Sequence, residues 1–548
     1  MRPIPAVSEK FLECPRIARF GRSVQRHVRC GLAVTVAPVI IAAAIPAVLI
    51  VNLRTDAPAR ISFDNSYVRL PDRFYARLHP TSVAAPRLIK INEKLARQLN
   101  LDPEYLATSE GVEILSGNRI PEGGEPLAMA YAGHQFGNFV PRLGDGRAIL
   151  LGEVVDREGK RRDIQLKGAG RTPFSRQGDG RAALGPVLRE YIVSEAMAAL
   201  GVPTTRSLAA VATGETVRRE SALPGAVLTR IASSHIRVGT FQFFAARGDT
   251  DAIRQLADHT IARHYPETKE ATNPYRALLD AVIAHQAELI AKWLLIGFIH
   301  GVMNTDNMSI AGETIDYGPC AFMDTYHPDT VYSSIDTHGR YGYANQPFIA
   351  QWNLCRFAET LLPLLAEDQI KAVEAAEGAL DSFGPHFEAA YAIGLRRKLG
   401  LLTVQKDDTA LGRDLLDRMA ENHADFTLTF RGLSDRATNC ADASAVRTLF
   451  DNPGSFDEWE MRWRKRLAVD GPDYANRETI MRNANPSVIP RNHLVEEAIA
   501  AAVEKGDFSV FERLIAVISQ PYSDQPENAV YTNPPRPDQI VHRTFCGT

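Results

Sequence analysis

An α+β protein of two or three parts is expected from this 548-residue chain, which is too long for one ordinary core. Ala148 to Asp156 (AILLGEVVD) and Arg162 to Lys167 read as two strands about the turn Arg157-Glu158-Gly159-Lys160. Pro186 to Leu200 (PVLREYIVSEAMAAL) opens with a proline and repeats its apolar residues at helical spacing. Helical patterns then dominate from about residue 201 to 400 and return over 401–519.

In chain order, residues 1–60 are an N-terminal extension and 61–200 are strands and turns leading into the Pro186 helix. Residues 201–400 are mainly helical, and 401–548 are a helical C-terminal region with a proline-rich tail from Gln520. The hairpin leaves Lys167 at its far end. Tyr275 to His300 reads as a helix whose Trp293-Leu294-Leu295-Ile296-Gly297-Phe298-Ile299 segment is apolar on nearly all sides, so it belongs in a core. The chain has no internal repeat.

Apolar content of 45%, charged content of 23% and a net charge of −3 describe a globular chain with no global attraction to nucleic acid. The six cysteines, Cys14, Cys30, Cys320, Cys355, Cys440 and Cys546, are scattered without a C-x-x-C pair. That excludes a disulfide framework or a cysteine-built zinc site and fits a reducing compartment.

Chemistry concentrates in His300-Gly301-Val302-Met303-Asn304-Thr305-Asp306-Asn307, followed by Asp316-Tyr317-Gly318. Asp306, Asn307 and Asp316 are hard-oxygen groups in short loops after an apolar helix, which is how Mg²⁺ is held beside phosphates. Asp306 is the candidate base for an attacking hydroxyl. His300 is read as a hydrogen-bonded structural residue, and His134, in Tyr131-Ala132-Gly133-His134-Gln135-Phe136-Gly137, has no assigned role.

Two glycine-rich loops flank the hairpin lysine. Leu143-Gly144-Asp145-Gly146-Arg147 precedes the first strand, and Gly178-Asp179-Gly180-Arg181 begins eleven residues after Lys167. Glycines let backbone N–H groups approach phosphate oxygens, and arginines add charge. Lys167 is the candidate phosphate lysine. Glu190 on the following helix is its preferred partner, with Glu195 as the rival. Arg230 and Arg237, seven apart, would share a face if their segment is helical, offering paired guanidiniums to a triphosphate. ATP chemistry is the leading reading.

In its motifs the chain resembles the SelO/YdiU family, selenoprotein-O-like protein adenylyltransferases. The resemblance runs from about Ile61 to Thr548. It rests on Phe63-Asp64-Asn65-Ser66-Tyr67, Tyr131 to Gly137, Leu143 to Arg147, Gln165 to Arg181, His300 to Asn307 and Asp316-Tyr317-Gly318-Pro319. Further strings are Asn485-Pro486, Ile489-Pro490-Arg491-Asn492-His493 and Phe545-Cys546-Gly547-Thr548. It implies a two-lobed protein-kinase-like fold with an additional helical C-terminal region. Residues 61–200 would be the N-lobe with the nucleotide loops, and 201–400 the helical C-lobe with the catalytic and metal loops.

The resemblance also implies ATP bound in reverse, so that AMP passes to a protein Ser, Thr or Tyr hydroxyl and pyrophosphate leaves; UMP transfer from UTP is conceivable in such a family. By motif, Gly144, Gly146, Arg147, Lys167, Asp179, Gly180, Arg230, Arg237 and Asp316 would bind nucleotide. Asp306 would take the proton, and Asn307 and Asp316 would hold Mg²⁺ or Mn²⁺. The adjacent Asp306-Asn307 pair departs from protein kinases, whose Asp and Asn are separated by four residues. Cys546 occupies the family's redox-active C-terminal position, with no partner evident.

A phosphotransferase is the alternative function and a catalytically dead nucleotide-binding scaffold the third, the latter opposed by the intact Lys167, Asp306, Asn307 and Asp316. Residues 1–30 carry seven Lys and Arg against Glu9 and Glu13, and Gly31 to Leu53 is charge-free, long enough for a membrane span. Yet a positive N-terminus kept inside would send the rest of the chain away from cytoplasmic ATP, and Pro38 and Pro46 interrupt the run. The extension is read as non-native or processed, or as a targeting segment or anchor. Membrane contact is expected only in the last case, and a cytoplasmic site otherwise.

Overall fold

Antiparallel pairing builds one eight-stranded sheet around the hairpin that carries Lys167. The computed structural model describes residues 61–437 and 444–545. Its strands are β1 (Tyr75–Arg77), β2 (Arg87–Ile91), β3 (Leu127–Met129), β6 (Ala148–Val155), β7 (Arg161–Lys167), β8 (Ala182–Ala183), β9 (Arg206–Arg218) and β10 (Ala222–Ala232). They are ordered β1-β3-β6-β7-β10-β9-β2, with β8 paired to β10. A separate hairpin joins β4 (Gly133–Gln135) to β5 (Asn138–Val140). At the β6–β7 turn the Asp156 carboxylate accepts from the N–H groups of Glu158 (3.0 Å) and Lys160 (2.8 Å), which fixes the register that sets Lys167 opposite Ala148.

Residues 206–232 correct the expectation of a mainly helical stretch after residue 200, because they form the two longest strands of the sheet. Much of β9 and most of β10 are buried on both faces, which removes the polar–apolar alternation that marks a half-exposed strand. One face of the sheet packs on α1 (Glu93–Gln98), α2 (Pro103–Leu106) and α3 (Ser109–Ser116), whose N-termini are capped by Asn92, Asp102 and Thr108. The other face packs on α4 (Leu184–Ala199).

The helical layer comprises α5 (Val238–Ala245), α6 (Thr250–His264), α7 (Pro274–Leu295), α8 (Gln346–Leu365), α9 (Gln369–Leu380) and α10 (Phe383–Leu399). Asn273 caps α7 by accepting from Tyr275 and Arg276, and Pro274 occupies the position where a missing N–H costs nothing. The helix expected from Tyr275 to His300 is interrupted. α7 stops at Leu295, Gly297 turns the chain at φ +72°, and β11 (Phe298–Ile299) pairs with β12 (Ala321–Phe322). That short pairing anchors both ends of the 300–320 loop.

The C-terminal part holds α11 (Asp408–Glu421), α12 (Phe426–Arg436), α13 (Ser444–Arg447), α14 (Pro453–Val469), α15 (Tyr474–Ala484), α16 (Asn492–Lys505) and α17 (Ser509–Ile518). Trp459 and Trp463 centre its core. α16 and α17 return to cover the outer side of α4, and buried Arg491 joins Asp324 to Asp425. Beyond α17 the tail returns to the 300–320 loop, where Thr544 Oγ1 donates to the Pro319 carbonyl at 2.7 Å. Among the described residues no helix is long and apolar enough to cross a membrane. The charge-free run at 31–53 and Cys546 both lie outside the described residues.

Candidate active site

Asp306 sits in a single 3₁₀ turn, Thr305–Asn307, that the β11–β12 pairing and His300 hold in place. His300 Nε2 donates to the Ile315 carbonyl (2.9 Å) and Nδ1 accepts from Val302 N–H (3.3 Å), so the buried ring is a neutral strut across the loop. Burial accordingly lowers its pKa. The Asn307 amide donates to the Val302 carbonyl at 2.9 Å, leaving its oxygen as the end available to a ligand.

The β4–β5 hairpin docks on this turn. Gln135 Nε2 donates to Asp306 Oδ2 (3.1 Å), His134 N–H to Thr305 Oγ1 (2.7 Å) and Phe136 N–H to Asn304 Oδ1 (3.1 Å). Gly133 is required there, because a methyl group would collide with the Asp306 carboxylate. Asp306 Oδ1 is buried without a hydrogen-bond partner. Burial pushes the Asp306 carboxyl up to about 6, against the smaller opposing effects of Gln135 and Arg237.

A buried chain of charge lies beside it. Lys167 is ion-paired with Glu190. Glu190 Oε1 accepts from Arg230 Nε at 2.7 Å, Arg230 Nη2 donates to Asp316 Oδ1 at 2.7 Å, and Arg237 is paired with Asp316 Oδ2. The helical face that the sequence suggested for Arg230 and Arg237 does not form. Arg230 is on β10 and Arg237 is the residue before α5, and the intervening turn brings both onto Asp316. Asp316 adopts a left-handed conformation (φ +62°), a strained placement for a residue with a side chain.

Burial raises the Asp316 carboxyl, but Arg237, Arg230 and Lys167 outweigh it and hold the group well below the usual carboxylate range. The Lys167 ammonium is drawn down by burial, with Glu190 opposing. Glu195, the rival partner, instead accepts from Arg206 (2.9 and 2.7 Å) and Ser207 N–H (2.9 Å).

The first glycine loop meets residues 172–175, which lead into the second. Thr172 Oγ1 donates to the Asp145 carbonyl (2.7 Å) and Ser175 Oγ to that of Gly146. Gly168 N–H, next to Lys167, donates to the Arg147 carbonyl at 2.7 Å. A side chain at Gly144 would strike the Phe174 ring, and one at Gly180 the Gly170 backbone. Asp179 stands apart from the charge chain: it is exposed and pairs with Arg219 at 2.9 Å. Gln135 is the neighbour of Asp306 that sequence reasoning missed; its string stood out, but a contact made by chain return has no periodic signal.

Asn307 and Asp316 supply a carboxamide and a carboxylate, a hard-oxygen pair suited to a divalent cation that completes its shell with phosphates and water. The unpartnered Asp306 oxygen beside them is a further hard donor. Among the described residues no group of three His, Cys, Asp or Glu side chains forms an all-protein metal cage.

Residues 58–519 match the family described as protein adenylyltransferase SelO. The chain is 66% identical over 486 residues to the protein nucleotidyltransferase YdiU of Rhodopseudomonas palustris strain HaA2, covering 89% of this chain and 99% of that one. It is equally identical, with the same coverage, to the protein nucleotidyltransferase YdiU of Bradyrhizobium diazoefficiens. To that of Methylorubrum populi it is 65% identical over 496 residues, covering 89% of this chain and all of the relative. Similarity of this extent makes the chain an enzyme of the protein nucleotidyltransferase class. It belongs to the SelO family of protein adenylyltransferases.

Proposed function

We propose that this enzyme transfers AMP from ATP to Ser, Thr or Tyr hydroxyls of cytoplasmic proteins, on a two-lobed kinase-like scaffold. The sheet-bearing part from residue 61, carried through β10 to residue 232, is the nucleotide lobe. The helices through residue 400 are the catalytic lobe, and from the C-terminal part α16 and α17 buttress α4. The observation that carries the reading is Asp306: a buried carboxylate with an unpartnered oxygen and a pKa near 6, beside a lysine, two arginines and Asp316.

Gly144, Gly146, Arg147 and Gly180 line the phosphates from the two loops, where Asp179, paired with Arg219, acts at the nucleotide's exposed side, with Lys167 held toward the phosphates by Glu190 and with Arg230 and Arg237 beside Asp316. Asp306 takes the proton from the acceptor hydroxyl. The freed oxygen bonds the α-phosphorus, the α–β phosphoanhydride bond breaks, and pyrophosphate leaves with the electron pair. Asn307 and Asp316 would hold Mg²⁺ or Mn²⁺, which when bound neutralises phosphate charge.

ATP labelled on the α- or the γ-phosphate tests this. Protein-bound label from α-labelled ATP alone is expected, and label from γ-labelled ATP alone would make the enzyme a phosphotransferase. Repeating the reaction with UTP, and with Mg²⁺ or Mn²⁺, fixes nucleotide and cation.

A further inference from the structure

We propose that the β4–β5 hairpin and the arginines beside it dock the acceptor protein, selecting an acidic segment next to the hydroxyl to be modified. The inference rests on the AMP-transfer reading and adds the chemistry of its second substrate.

The hairpin is the element that touches Asp306 and solvent at once. Gln135 holds the carboxylate, while Gly137, Asn138 and Phe139 are exposed, Phe139 to 40%. Phe136 (φ +51°) and Gly137 (φ +85°) both take the left-handed conformation of a tight two-residue turn, so the tip is presented in one shape.

Three guanidiniums border it. Arg340 faces Gly137 at the tip and lies over Trp352 (4.9 Å) and Tyr341 (5.7 Å). Arg247 donates to the Pro141 carbonyl at the base (3.3 Å) and covers the Phe243 ring at 3.5 Å. Arg142 donates to the Pro173 carbonyl at 3.1 Å.

None of these three makes an ion pair among the described residues, although the chain carries 65 acidic against 62 basic side chains. The neighbouring charges are already matched. Arg356, also against Trp352, takes Glu359 (2.9 Å), and Asp249 and Asp251, just beyond Arg247, take Arg73 at 3.3 and 2.6 Å. Asp336 spends its oxygens on the N–H groups of Arg340 (2.9 Å) and Tyr341 (2.8 Å).

The excess of positive charge is felt locally. Arg247 falls below the ordinary arginine range through burial and Arg142, and His134 is lowered to about 4 by burial, then Arg356 and Arg340. Guanidiniums already held against rings lose little freedom on binding, and their planar forks match carboxylates. An exposed aromatic at the centre suits a peptide rather than a bare anion.

The probes are two synthetic peptides, identical except that the Ser and Tyr acceptors are flanked by glutamates in one and by lysines in the other, and a single-stranded oligonucleotide. Fluorescence anisotropy with the full chain is expected to show the glutamate peptide binding at least about tenfold tighter, a difference shrinking above about 0.3 M salt. Arg247→Glu/Arg340→Glu should reverse the preference while ATP binding stays unchanged. Arg340→Gln, which keeps the stem on Trp352, should weaken glutamate-peptide binding with an unaltered melting temperature. Equal affinities, binding of neither peptide, or tighter oligonucleotide binding with the same arginine dependence overturns the proposal. Retained glutamate preference in a chain that binds no ATP would instead overturn the AMP-transfer reading and leave the docking surface standing.

Discussion

Arg237 and Asp316 are bound to each other at the point where the 300–320 loop meets the sheet, and the same Arg237 nitrogen donates to the Asp306 backbone carbonyl at 2.7 Å. One guanidinium thus fixes the spacing between the candidate base and the candidate cation ligand.

Asp316→Ala is expected to abolish AMP transfer and cation-dependent ATP binding. It also strands Arg237, which is 2% exposed, so unfolding free energy should fall by about 3 kcal/mol. Asp316→Asn should lose activity with a smaller loss of stability, because it keeps an acceptor oxygen for one of the two arginines while its amide NH2 faces the other. Melting curves and nucleotide titrations separate the two effects, and near-normal transfer by either variant would move the cation site elsewhere.

Asp306 gives a pH dependence whose sign is set by its raised pKa. The base must be ionised, so turnover should fall as pH drops through about 6. For stability, a carboxyl raised on folding is a liability that is fully present above pH 6 and vanishes toward pH 4. Asp306→Asn should therefore lose turnover more than ATP affinity, yet be more stable at pH 8 by up to about 3 kcal/mol of unfolding free energy, with the gain gone near pH 4. An equal gain at both pH values would show that the charge is not its source.

Glu190 serves two buried cations, Lys167 and Arg230. Lys167→Met, which keeps the apolar stem, should cut transfer steeply without unfolding the chain, and Glu190→Gln should be about as damaging because it weakens both ion pairs. Glu195→Gln should loosen α4 from β9 through Arg206 and leave transfer nearly intact. Steady-state rates and melting temperatures of the three variants decide the order.

Gln135→Leu removes the N–H that stabilises ionised Asp306. The acid limb of the rate profile should move above about 6, and kcat should fall by about tenfold with ATP affinity unchanged. An unshifted limb would mean that Gln135 supports only the hairpin.

The hairpin ending in Lys167 and helix α4 were legible because a turn-bounded strand pair and a regular helical repeat show in a linear string. β9 and β10 were not, since burial on both faces erases alternation. The apolar run ending at Ile299 was read as one helix because apolarity alone does not reveal the Gly297 turn that ends it.

Residue types and short spacings by themselves pointed to the α+β class and singled out the two glycine loops, Lys167 and the Asp306, Asn307 and Asp316 set as candidates, since hard-oxygen and phosphate chemistry admits few side chains. Only the tertiary structure decided that Glu190 rather than Glu195 meets Lys167, that Arg230 and Arg237 converge on Asp316 from a strand and a helix start, and that Gln135 reaches Asp306. Those contacts join residues 23 to 171 positions apart. Their geometry comes from packing a sheet, a hairpin and a loop together, and a local pattern carries no record of which distant segment returns to fill a given space.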